Sequence, residues 1–445
     1  LHLSDGHPDH ETWRAPQQAA WERLLARIPA ASAGAATVEL IVNGDCFDFL
    51  MAAPYLTTED ETTAADGVAK LRRIVAAHAD WLRALAAFLR EPGRSVTFLI
   101  GNHDLELAFA AVRQRVRAAI GAPAGTVRFC LRRAYRPVAD TLIEHGCQFD
   151  PWNVITGLWD DDAAATPDEL ESAPGAASGP IALRLPFGSR YYGRVFRQIQ
   201  QRFPYFDAFA PGLPQPGVLA LVCLLAPECL VDSATAARTL YDDPPAAGPD
   251  LAAAAAQGAA ALYAALLPGM AALQAQVWRD TDAADNEGGA SDEEAPPDLS
   301  RQLRALEYFT GIQAGLQGSE RDAIQAIFNV PEPRDDGNRE VDFRAIIAVR
   351  SPAVNVKLCG HTHGERSIQF AAPAPFAYLN TGTWYPRLAL PRPDDVNDAM
   401  MRWLRDPRAA PATARDAAAF SFAELRAAPG APTTARLCQV GAGGW

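Results

Sequence analysis

Lysine is almost absent from this sequence, since only Lys70 and Lys357 occur among its 40 basic residues. Acidic residues outnumber basic ones, which gives a formal net charge of −13. Proteins that bind nucleic acids or anionic membranes through phosphate contacts need a surplus of Lys and Arg. The charge balance therefore excludes a general binder of either kind, and we expect no stable nucleic-acid partner.

The sequence also has no long apolar run and no regular cysteine pattern. The longest apolar run, Val218 to Ala226, is far shorter than the roughly 20 residues that cross a bilayer. Seven cysteines without regular spacing suit a reducing compartment better than a disulfide framework. No signal peptide opens the sequence, so we expect a cytoplasmic protein. Because the sequence begins at Leu1 without an initiator Met, we also expect that residues before Leu1 have been removed.

Length and composition are those of a globular protein with a sizeable core. The chain has 445 residues, of which 49% are hydrophobic and 21% are charged. Stretches rich in Ala, Pro, Gly and Asp begin near residue 160 and end near residue 337. The expected segments are a first core part at 1–159, a mostly helical insertion with disordered linkers at 160–337, a second core part at 338–390 and a C-terminal extension at 391–445.

Four short apolar runs predict buried strands, and each of them ends at a polar motif. The runs are Val38 to Asn43, Ser95 to Ile100, Thr141 to Glu144 and Ala353 to Cys359. Asp66 to Arg90 has apolar residues at helical spacing and predicts a helix between the first two runs. This alternation indicates an α/β protein, in which ligand sites lie beyond the carboxyl ends of the strands.

Histidine is scarce, and five of its eight copies lie at strand ends beside Gly, Asp or Asn. These five are His2, His103, His145, His361 and His363. Imidazole and carboxylate groups suit borderline first-row cations such as Mn²⁺, Fe, Co and Zn. A single histidine is more often a hydrogen-bonded structural group than a ligand. The shared position at strand ends nevertheless indicates a metal centre.

Five segments carry a resemblance to a known family. They are LHLS at 1–4, GDCFD at 44–48, GNHD at 101–104, EHG at 144–146 and GHTH at 360–363. In type and order they resemble the blocks D-x-H, G-D-x-x-D, G-N-H-D/E, a lone His beside Gly, and G-H-x-H of the calcineurin-like metallophosphoesterases. The resemblance covers residues 1 to about 155 and about 340 to 390. The EHGCQFDPWN and NTGTW segments are similar to the bacterial branch that contains the UDP-2,3-diacylglucosamine pyrophosphohydrolases.

The resemblance implies an α/β/β/α sandwich of two mixed sheets that holds a pair of divalent cations. Mn²⁺ is the expected metal, with Fe, Zn, Co or Ni as alternatives. The implied ligands are His2, Asp45 and His363 for one cation and Asp45, Asn102, His145 and His361 for the other. Asp45 would bridge the two cations, which would clamp the phosphoryl group and activate a hydroxide.

The resemblance also implies roles for three neighbours of these ligands. His103 would stand near the leaving-group oxygen as a general acid or a stabiliser of the transition state. Asp104 would orient the His103 ring and support its charge. Asp48 would lie just behind the ligands, although a turn residue that caps the loop after the strand is an equal interpretation.

The first block departs from the family pattern, because the expected Asp two residues before His2 falls before Leu1. Either that Asp has been removed, or the true block is Ser4-Asp5-Gly6-His7, which also spells D-x-H. The first interpretation is favoured, since Gly6 and Pro8 indicate a turn. In that case we expect the chain to lack one ligand of the first cation.

Within the insertion, Arg184 to Arg202 contains five arginines and no acidic residue, with Tyr and Phe between them. It could be a lid that presents Arg190, Arg194 and Arg197 to substrate phosphates. It could also be an amphipathic helix with a solvated arginine face, or a helix that rests on a membrane surface as a peripheral contact.

The function predicted from these features is hydrolysis of a phosphomonoester, phosphodiester or pyrophosphate in a small-molecule or lipid-linked substrate. Two alternatives stay open. A nuclease or nucleotide phosphodiesterase is favoured only by the arginine segment, and a non-catalytic scaffold with a degraded metal site is suggested by the absent first Asp.

Overall fold

The computed structural model describes most of the chain as an α/β protein with two compact units. The described residues are 1–7, 11–55, 60–159, 163–171, 182–206, 209–210, 215–230, 237, 240, 250–269, 272, 310–329, 336–348, 353–371, 375–385, 388–389, 391–406 and 419–441. The first unit comprises Leu1–Arg190, Gly337–Pro386 and Ala417–Trp445, and the second comprises Tyr191–Asp336 and Arg387–Asp416. In the described part of the chain, none of the helices combines the length and the hydrophobicity that a membrane-spanning helix needs.

The four predicted strands are all present, together with others that the apolar runs do not predict. In chain order the strands are β1 (Val38–Asn43), β2 (Glu61–Thr63), β3 (Arg94–Leu99), β4 (Val127–Phe129), β5 (Ala134–Tyr135), β6 (Thr141–Glu144), β7 (Ala164–Ala165), β8 (Ala182–Arg184), β9 (Phe209–Ala210), β10 (Val356–Cys359), β11 (Glu365–Phe370), β12 (Phe376–Thr381), β13 (Leu388–Ala389), β14 (Ala419–Ala428) and β15 (Ala431–Gly441). The predicted strands correspond to β1, β3, β6 and β10.

Two sheets form the framework of the first unit. The first has the order β1-β3-β4, and its strands are parallel. The second has the order β11-β12-β10-β6-β5-β7 and is mixed, since β12, β10 and β6 are parallel while β11 and β5 are antiparallel to their neighbours β12 and β6. Parallel strands bring their carboxyl ends to the same edge. The loops that follow β1 and β3 therefore meet, as do those that follow β6 and β10.

Apolar side chains from both sheets share one buried cluster. Leu99 ends β3, while Ile143, Leu358 and Leu379 lie on β6, β10 and β12, and all four belong to that cluster. Tyr135 on β5 also reaches the first sheet, because its hydroxyl donates a hydrogen bond to Glu39 Oε1 at 3.0 Å. The two sheets therefore pack against each other.

Helices cover the other face of the first sheet. In the first unit the helices are Ala15–Ala31, Ala64–Ala77, Ala79–Leu89, Ala110–Ile120 and Phe187–Tyr191, with 3₁₀ turns at Leu105–Ala108 and Cys147–Phe149. Trp21 and Trp81 stack with ring centroids 5.2 Å apart and share a buried cluster with Phe98 of β3. The predicted helix at Asp66 to Arg90 is in fact two helices, because the backbone leaves helical geometry at His78.

The carboxyl-terminal residues form a long antiparallel hairpin, β14–β15, within the first unit. Phe420 and Val440 are buried in the same cluster as Trp384. The indole of Trp384 donates a hydrogen bond to the Ser421 carbonyl oxygen at 2.8 Å. This part of the chain, for which the sequence alone predicts no structure, completes the core of the unit.

The second unit is mostly helical where it is described. Its segments are a π-helical turn at Tyr192–Phe196, the helices Arg197–Arg202, Gln215–Leu225, Leu251–Ala256, Glu320–Phe328 and Asp398–Arg405, a 3₁₀ turn at Pro393–Asp395 and the strand pair β9–β13, while 227–230, 259–269 and 310–315 are also helical. The helix Asp336–Ile347 belongs to the first unit apart from its first residue. Phe203, Tyr205 and Trp403 lie in the core of the second unit. The insertion predicted at 160–337 falls partly outside the described residues.

Candidate metal centre

The loops that follow the predicted strands converge at one place in the first unit. The side-chain amide of Asn43, at the end of β1, donates to the Glu144 carbonyl oxygen at the end of β6, at 2.9 Å. His145 Nδ1 lies 2.8 Å from the Asn43 carbonyl oxygen. The Gly360 N–H after β10 donates to the His145 carbonyl oxygen at 2.8 Å. These contacts bring polar motifs from distant parts of the sequence side by side.

Backbone conformation distinguishes four of the predicted ligands. His2, Asp45, His361 and His363 have φ angles between 49° and 65°, in the left-handed region that non-glycine residues rarely adopt. Among the described residues, Glu171 is the one other non-glycine residue with a positive φ. Such conformations cost of order 1–3 kcal/mol each and typically occur at functional sites. Here they coincide with the residues whose side chains turn towards one another.

Two glycines allow the loops that carry the predicted metal ligands to approach one another closely. A Cβ atom on Gly44 would lie 2.3 Å from His145 Nδ1, and one on Gly101 would lie 2.2 Å from Asp45 Oδ1. Both distances are far below van der Waals contact, so a larger residue would push a ligand loop away. Glycine at these two positions is therefore a condition for the close approach of the loops.

Among the described residues three groups of side chains could hold a metal ion, one of which is His2, Asp48 and His103. The other two contain Asp45, and the first of these consists of His2, Asp45 and His363. The Nε2 atoms of His2 and His363 are 3.1 Å apart, and His2 Nε2 lies 3.9 Å from Asp45 Oδ2. Burial lowers the pKa of both imidazoles. Both rings are therefore neutral and can offer lone pairs to a cation.

The second group consists of Asp45, His145 and His361. His145 donates from Nδ1 to the Asn43 carbonyl oxygen, so Nε2 of the neutral ring carries a lone pair. This Nε2 lies 3.1 Å from Asp45 Oδ2 and 3.2 Å from Asn102 Oδ1. Burial would lower the pKa of His145, but the charge of Asp45 outweighs burial and raises it. Three atoms with lone pairs thus face one another and require a proton or a cation between them.

Asp45 belongs to both groups. Its Oδ1 accepts a hydrogen bond from the His103 main-chain N–H at 2.9 Å, while its Oδ2 faces His145 and His2. Burial would raise the pKa of Asp45, but the neighbouring His145 and His103 lower it well below the usual value. The carboxylate is therefore an anion whose Oδ2 faces one imidazole of each of the two groups.

Asp48 holds two of the rings. It is fully buried, and its two oxygens lie 3.0 Å from the Nδ1 atoms of His2 and His103. It also accepts a hydrogen bond from the Met51 N–H at 3.1 Å, as a loop-capping residue does. Burial would lower the pKa of His103, but Asp48 and Asp45 outweigh burial and raise it to about 10. Asp48 thus both contacts the His2 and His103 rings, as a residue behind the ligands would, and caps the loop after β1, which are the two roles that the sequence leaves open.

The His103 ring is hydrogen-bonded to Asp48 and not to Asp104, but the charge of Asp104 contributes to the raised pKa of His103, as the resemblance implies. The Asp104 oxygens accept hydrogen bonds from the main-chain N–H groups of Gly101 at 2.6 Å and Cys46 at 2.8 Å. Burial and the charge of Asp45 raise the pKa of Asp104 to about 7. Asp104 therefore ties the loop after β1 to the loop after β3.

Two further residues lie beside predicted ligands without having been singled out by the sequence. Asp150 Oδ2 is 2.8 Å from His361 Nε2, and Asn153 Oδ1 is 3.2 Å from Asn102 Nδ2. Both belong to the EHGCQFDPWN segment, whose resemblance to a bacterial branch was the one signal of their importance.

A buried network supports the loop that carries His361 and His363. Asp342, on the helix Asp336–Ile347, accepts hydrogen bonds from the Tyr378 hydroxyl at 2.6 Å and from Asn380 Nδ2 at 3.1 Å. Asn380 Nδ2 also lies 2.9 Å from the Gly360 carbonyl oxygen and from Thr362 Oγ1. No sequence pattern marks Asp342, because its partners come from β12 and from the loop after β10.

The three arginines predicted to bind substrate are in different units. Arg190 lies in the first unit, where its Nη1 is 3.4 Å from Asp60 Oδ1. Its guanidinium group also lies over the Phe187 ring, 5.5 Å from the centroid. Arg194, which is buried, and Arg197 belong to the second unit. A role of these arginines in substrate binding stays a prediction.

The alternative first block, which includes Asp5 and His7, does not contribute to these groups within the described residues. Asp5 Oδ2 accepts hydrogen bonds from the Ala53 N–H at 3.0 Å and the Tyr55 hydroxyl at 3.2 Å. His7 is exposed. The geometry therefore favours His2 as the histidine of the first block.

Three buried cysteines lie within or next to the ligand motifs. Burial raises the pKa of the thiols of Cys46 and Cys147, and it raises that of Cys359 to about 12. All three are therefore neutral thiols, which are poor metal ligands compared with thiolates. Imidazole, carboxylate and amide groups are left as the donors of the site.

Comparison with known proteins adds no relative of this chain. No protein-family model matches it, and neither does a curated protein or a solved structure. The function must therefore be inferred from the residues of the site and from their geometry.

Proposed function

We propose that the chain is a metal-dependent phosphoesterase of the calcineurin-like metallophosphoesterase type. It would hydrolyse a phosphomonoester, a phosphodiester or a pyrophosphate. The observation that carries this proposal is the approach of Asp45 Oδ2 and Asn102 Oδ1 to His145 Nε2, at 3.1 and 3.2 Å. Without a cation, the raised pKa of His145 favours a proton between Nε2 and Asp45. A divalent cation that replaces this proton would satisfy the lone pairs of all three atoms.

The donor set fits two cations that share Asp45. The proposed ligands are His2, Asp45 and His363 for one cation and Asp45, Asn102, His145 and His361 for the other. Each group has a carboxylate oxygen and two imidazoles, a combination that suits Mn²⁺, Fe, Co, Ni or Zn. When bound, such a pair supplies Lewis acidity to phosphoryl oxygens and lowers the pKa of a water molecule.

His103 is proposed to act on the leaving group. Its imidazole has a raised pKa because of the charges of Asp48 and Asp45, so it carries a proton at neutral pH. A protonated ring can donate to the leaving-group oxygen or stabilise negative charge that develops there. Asp48 would keep this ring in one orientation through the 3.0 Å hydrogen bond to Nδ1.

The proposal includes a four-layer α/β/β/α arrangement for the first unit. Its support is the alternation of neighbouring residues on β3, where Phe98 belongs to the cluster that includes Trp81 of a helix and Leu99 to the cluster shared with the second sheet. A small-molecule or lipid-linked phosphate as substrate and a peripheral membrane contact through the second unit are further parts of the proposal.

Metal removal tests this function directly. Purified full-length protein that has been treated with a chelator and desalted is expected to lose turnover of p-nitrophenyl phosphate and of bis-p-nitrophenyl phosphate. Adding Mn²⁺ should restore turnover in proportion to the metal bound, up to two ions per chain. A mock treatment without chelator controls for loss of protein.

Two outcomes of this experiment would contradict the proposal. Full turnover after verified removal of the metal would exclude metal-dependent hydrolysis. A folded protein that binds Mn²⁺, Zn²⁺ and Co²⁺ to less than about one ion per chain would instead indicate a non-catalytic scaffold.

A further inference from the structure

We propose that Asp150 and Asn153 are positioning residues that set the direction of two metal ligands, His361 and Asn102. The two residues lie three positions apart on the loop that follows the 3₁₀ turn Cys147–Phe149. Each contacts a ligand from a different block of the sequence. The inference rests on the proposed function, because it concerns the support of the same site.

Asp150 fixes the ring of His361. An ionised carboxylate can only accept hydrogen bonds, so the 2.8 Å contact requires that His361 Nε2 carries the hydrogen. The lone pair of the neutral ring is then on Nδ1, the remaining nitrogen that can bind a cation. A carboxylate in this position also increases the basicity of the imidazole towards a metal.

Asn153 fixes the amide of Asn102 in the same way. Asn153 Nδ2 donates to Asp150 Oδ2 at 2.7 Å, which directs Asn153 Oδ1 towards Asn102. Asn102 Nδ2 then donates to Asn153 Oδ1 at 3.2 Å, and Asn102 Oδ1 is left facing His145. Asp150, which can only accept hydrogen bonds, therefore determines the direction of the Asn153 and Asn102 amides. As a result, Asn102 presents its oxygen, not its N–H groups, to the cation.

Further hydrogen bonds fix the loop that carries Asp150 and Asn153, so the side chains of these two residues keep one orientation. The Trp152 N–H donates to Asp150 Oδ1 at 3.0 Å, and the Asn153 N–H donates to the Asp150 carbonyl oxygen at 2.9 Å. On the other side, a Cβ atom on Gly188 would lie 2.5 Å from Asn153 Oδ1. Asn153 is thus enclosed between its own loop and the residue at 188.

Without this support the amide of Asn102 could turn by half a rotation and direct its N–H groups at the cation. Mutation of groups that support metal ligands typically weakens metal affinity by about 10–100-fold. Replacing Asn153 with Leu keeps the size of the side chain and removes its two side-chain hydrogen bonds, to Asp150 and to Asn102. We expect Asn153→Leu to weaken one of the two metal sites by about that factor and to leave the other close to wild type.

The measurement is a calorimetric titration of metal-free, full-length protein with Mn²⁺, for wild type and variants, with circular dichroism to verify folding. The matched control is Asn355→Leu. Asn355 contacts Asp140 in a similar way, through Nδ2 at 3.3 Å and through its N–H to the Asp140 carbonyl oxygen at 2.8 Å, outside the site. The Asn355→Leu variant should leave the affinities of both Mn²⁺ sites unchanged.

Asp150→Asn serves as a second variant if Asn153→Leu does not fold. An Asn side chain cannot accept from Trp152, His361 and Asn153 at once, so metal binding should weaken here too. The inference is overturned if a folded variant binds both ions with wild-type affinity, or if Asn355→Leu weakens binding equally. If wild type itself binds no metal, the proposed function fails instead.

Discussion

Asn in place of Asp45 is expected to reduce turnover of p-nitrophenyl phosphate to background, a loss of at least about 10³-fold. The physical reason is that Asp45 is the one carboxylate in both ligand groups. The variant removes its negative charge and places an amide N–H group opposite either His103 N–H or His145 Nε2. Metal-ion catalysis is worth several kcal/mol, and about 4 kcal/mol corresponds to about 10³-fold in rate. Metal content should fall below two ions per chain.

A matched control for this variant is Asp140→Asn. Asp140 is an aspartate of the same unit that accepts a hydrogen bond from the Thr433 N–H at 2.8 Å and lies outside the ligand groups. It should retain wild-type metal content and turnover. Undiminished turnover in folded Asp45→Asn protein would reject the assignment of Asp45 as the shared ligand.

Replacing His103 with Asn should separate metal binding from catalysis. The His103 ring lies against Asp48, and the expected metal ligands do not include it. We therefore expect both metal ions to stay bound while kcat falls by about 10²–10⁴-fold, the usual contribution of a general acid. The loss should be largest for alkyl phosphates, whose leaving oxygen needs a proton, and smallest for p-nitrophenyl phosphate.

The control for this variant is His78→Asn, since His78 is another buried histidine paired with a carboxylate, at 3.3 Å from Glu11 Oε2. That change can affect stability but should leave the dependence on the leaving group unaltered. An equal loss for good and poor leaving groups in His103→Asn would argue against proton donation. Loss of metal would show that the ring acts as a ligand.

The strands that deliver the site are predictable because they are largely apolar, and β10 is buried along its whole length while β3 is buried over its last four residues. Such strands are continuous apolar runs in the sequence, and β1 and β6 have the bounds that their runs predict. The observed β3 begins and ends one residue earlier than its run, and β10 begins three residues later. Since the motifs directly follow these runs, their meeting at one edge could be expected from the sequence.

Other strands form only because a partner is present. β5 and β7 have two residues each, too few for any period to be recognised. The hairpin β14–β15 contains Ala, Arg and Thr, and its place in the core depends on contacts such as that of Phe420 with Trp384, whose rings are 5.2 Å apart. Long-range packing overrides the weak local preference of these segments.

Within the site, the types of ligand are predictable from the motifs, whereas the partners of the ligands are not. Asp104 is next to His103 in sequence, but its carboxylate turns to main-chain N–H groups, and Asp48 reaches the ring from another loop. Asp150 and Asp342 are also brought to the site by tertiary structure. Which carboxylate supports which ring depends on side-chain direction, and a list of motifs does not contain that information.

The most direct measurement is anomalous X-ray diffraction at the manganese edge from crystals of the full-length protein grown with Mn²⁺. The account predicts two anomalous peaks about 3.5–4 Å apart, with Asp45 in contact with both. His2 and His363 should bind one ion, and His145, His361 and Asn102 the other. A well-diffracting crystal with no peak at Asp45, or with these side chains bound to no metal at saturating Mn²⁺, would contradict it.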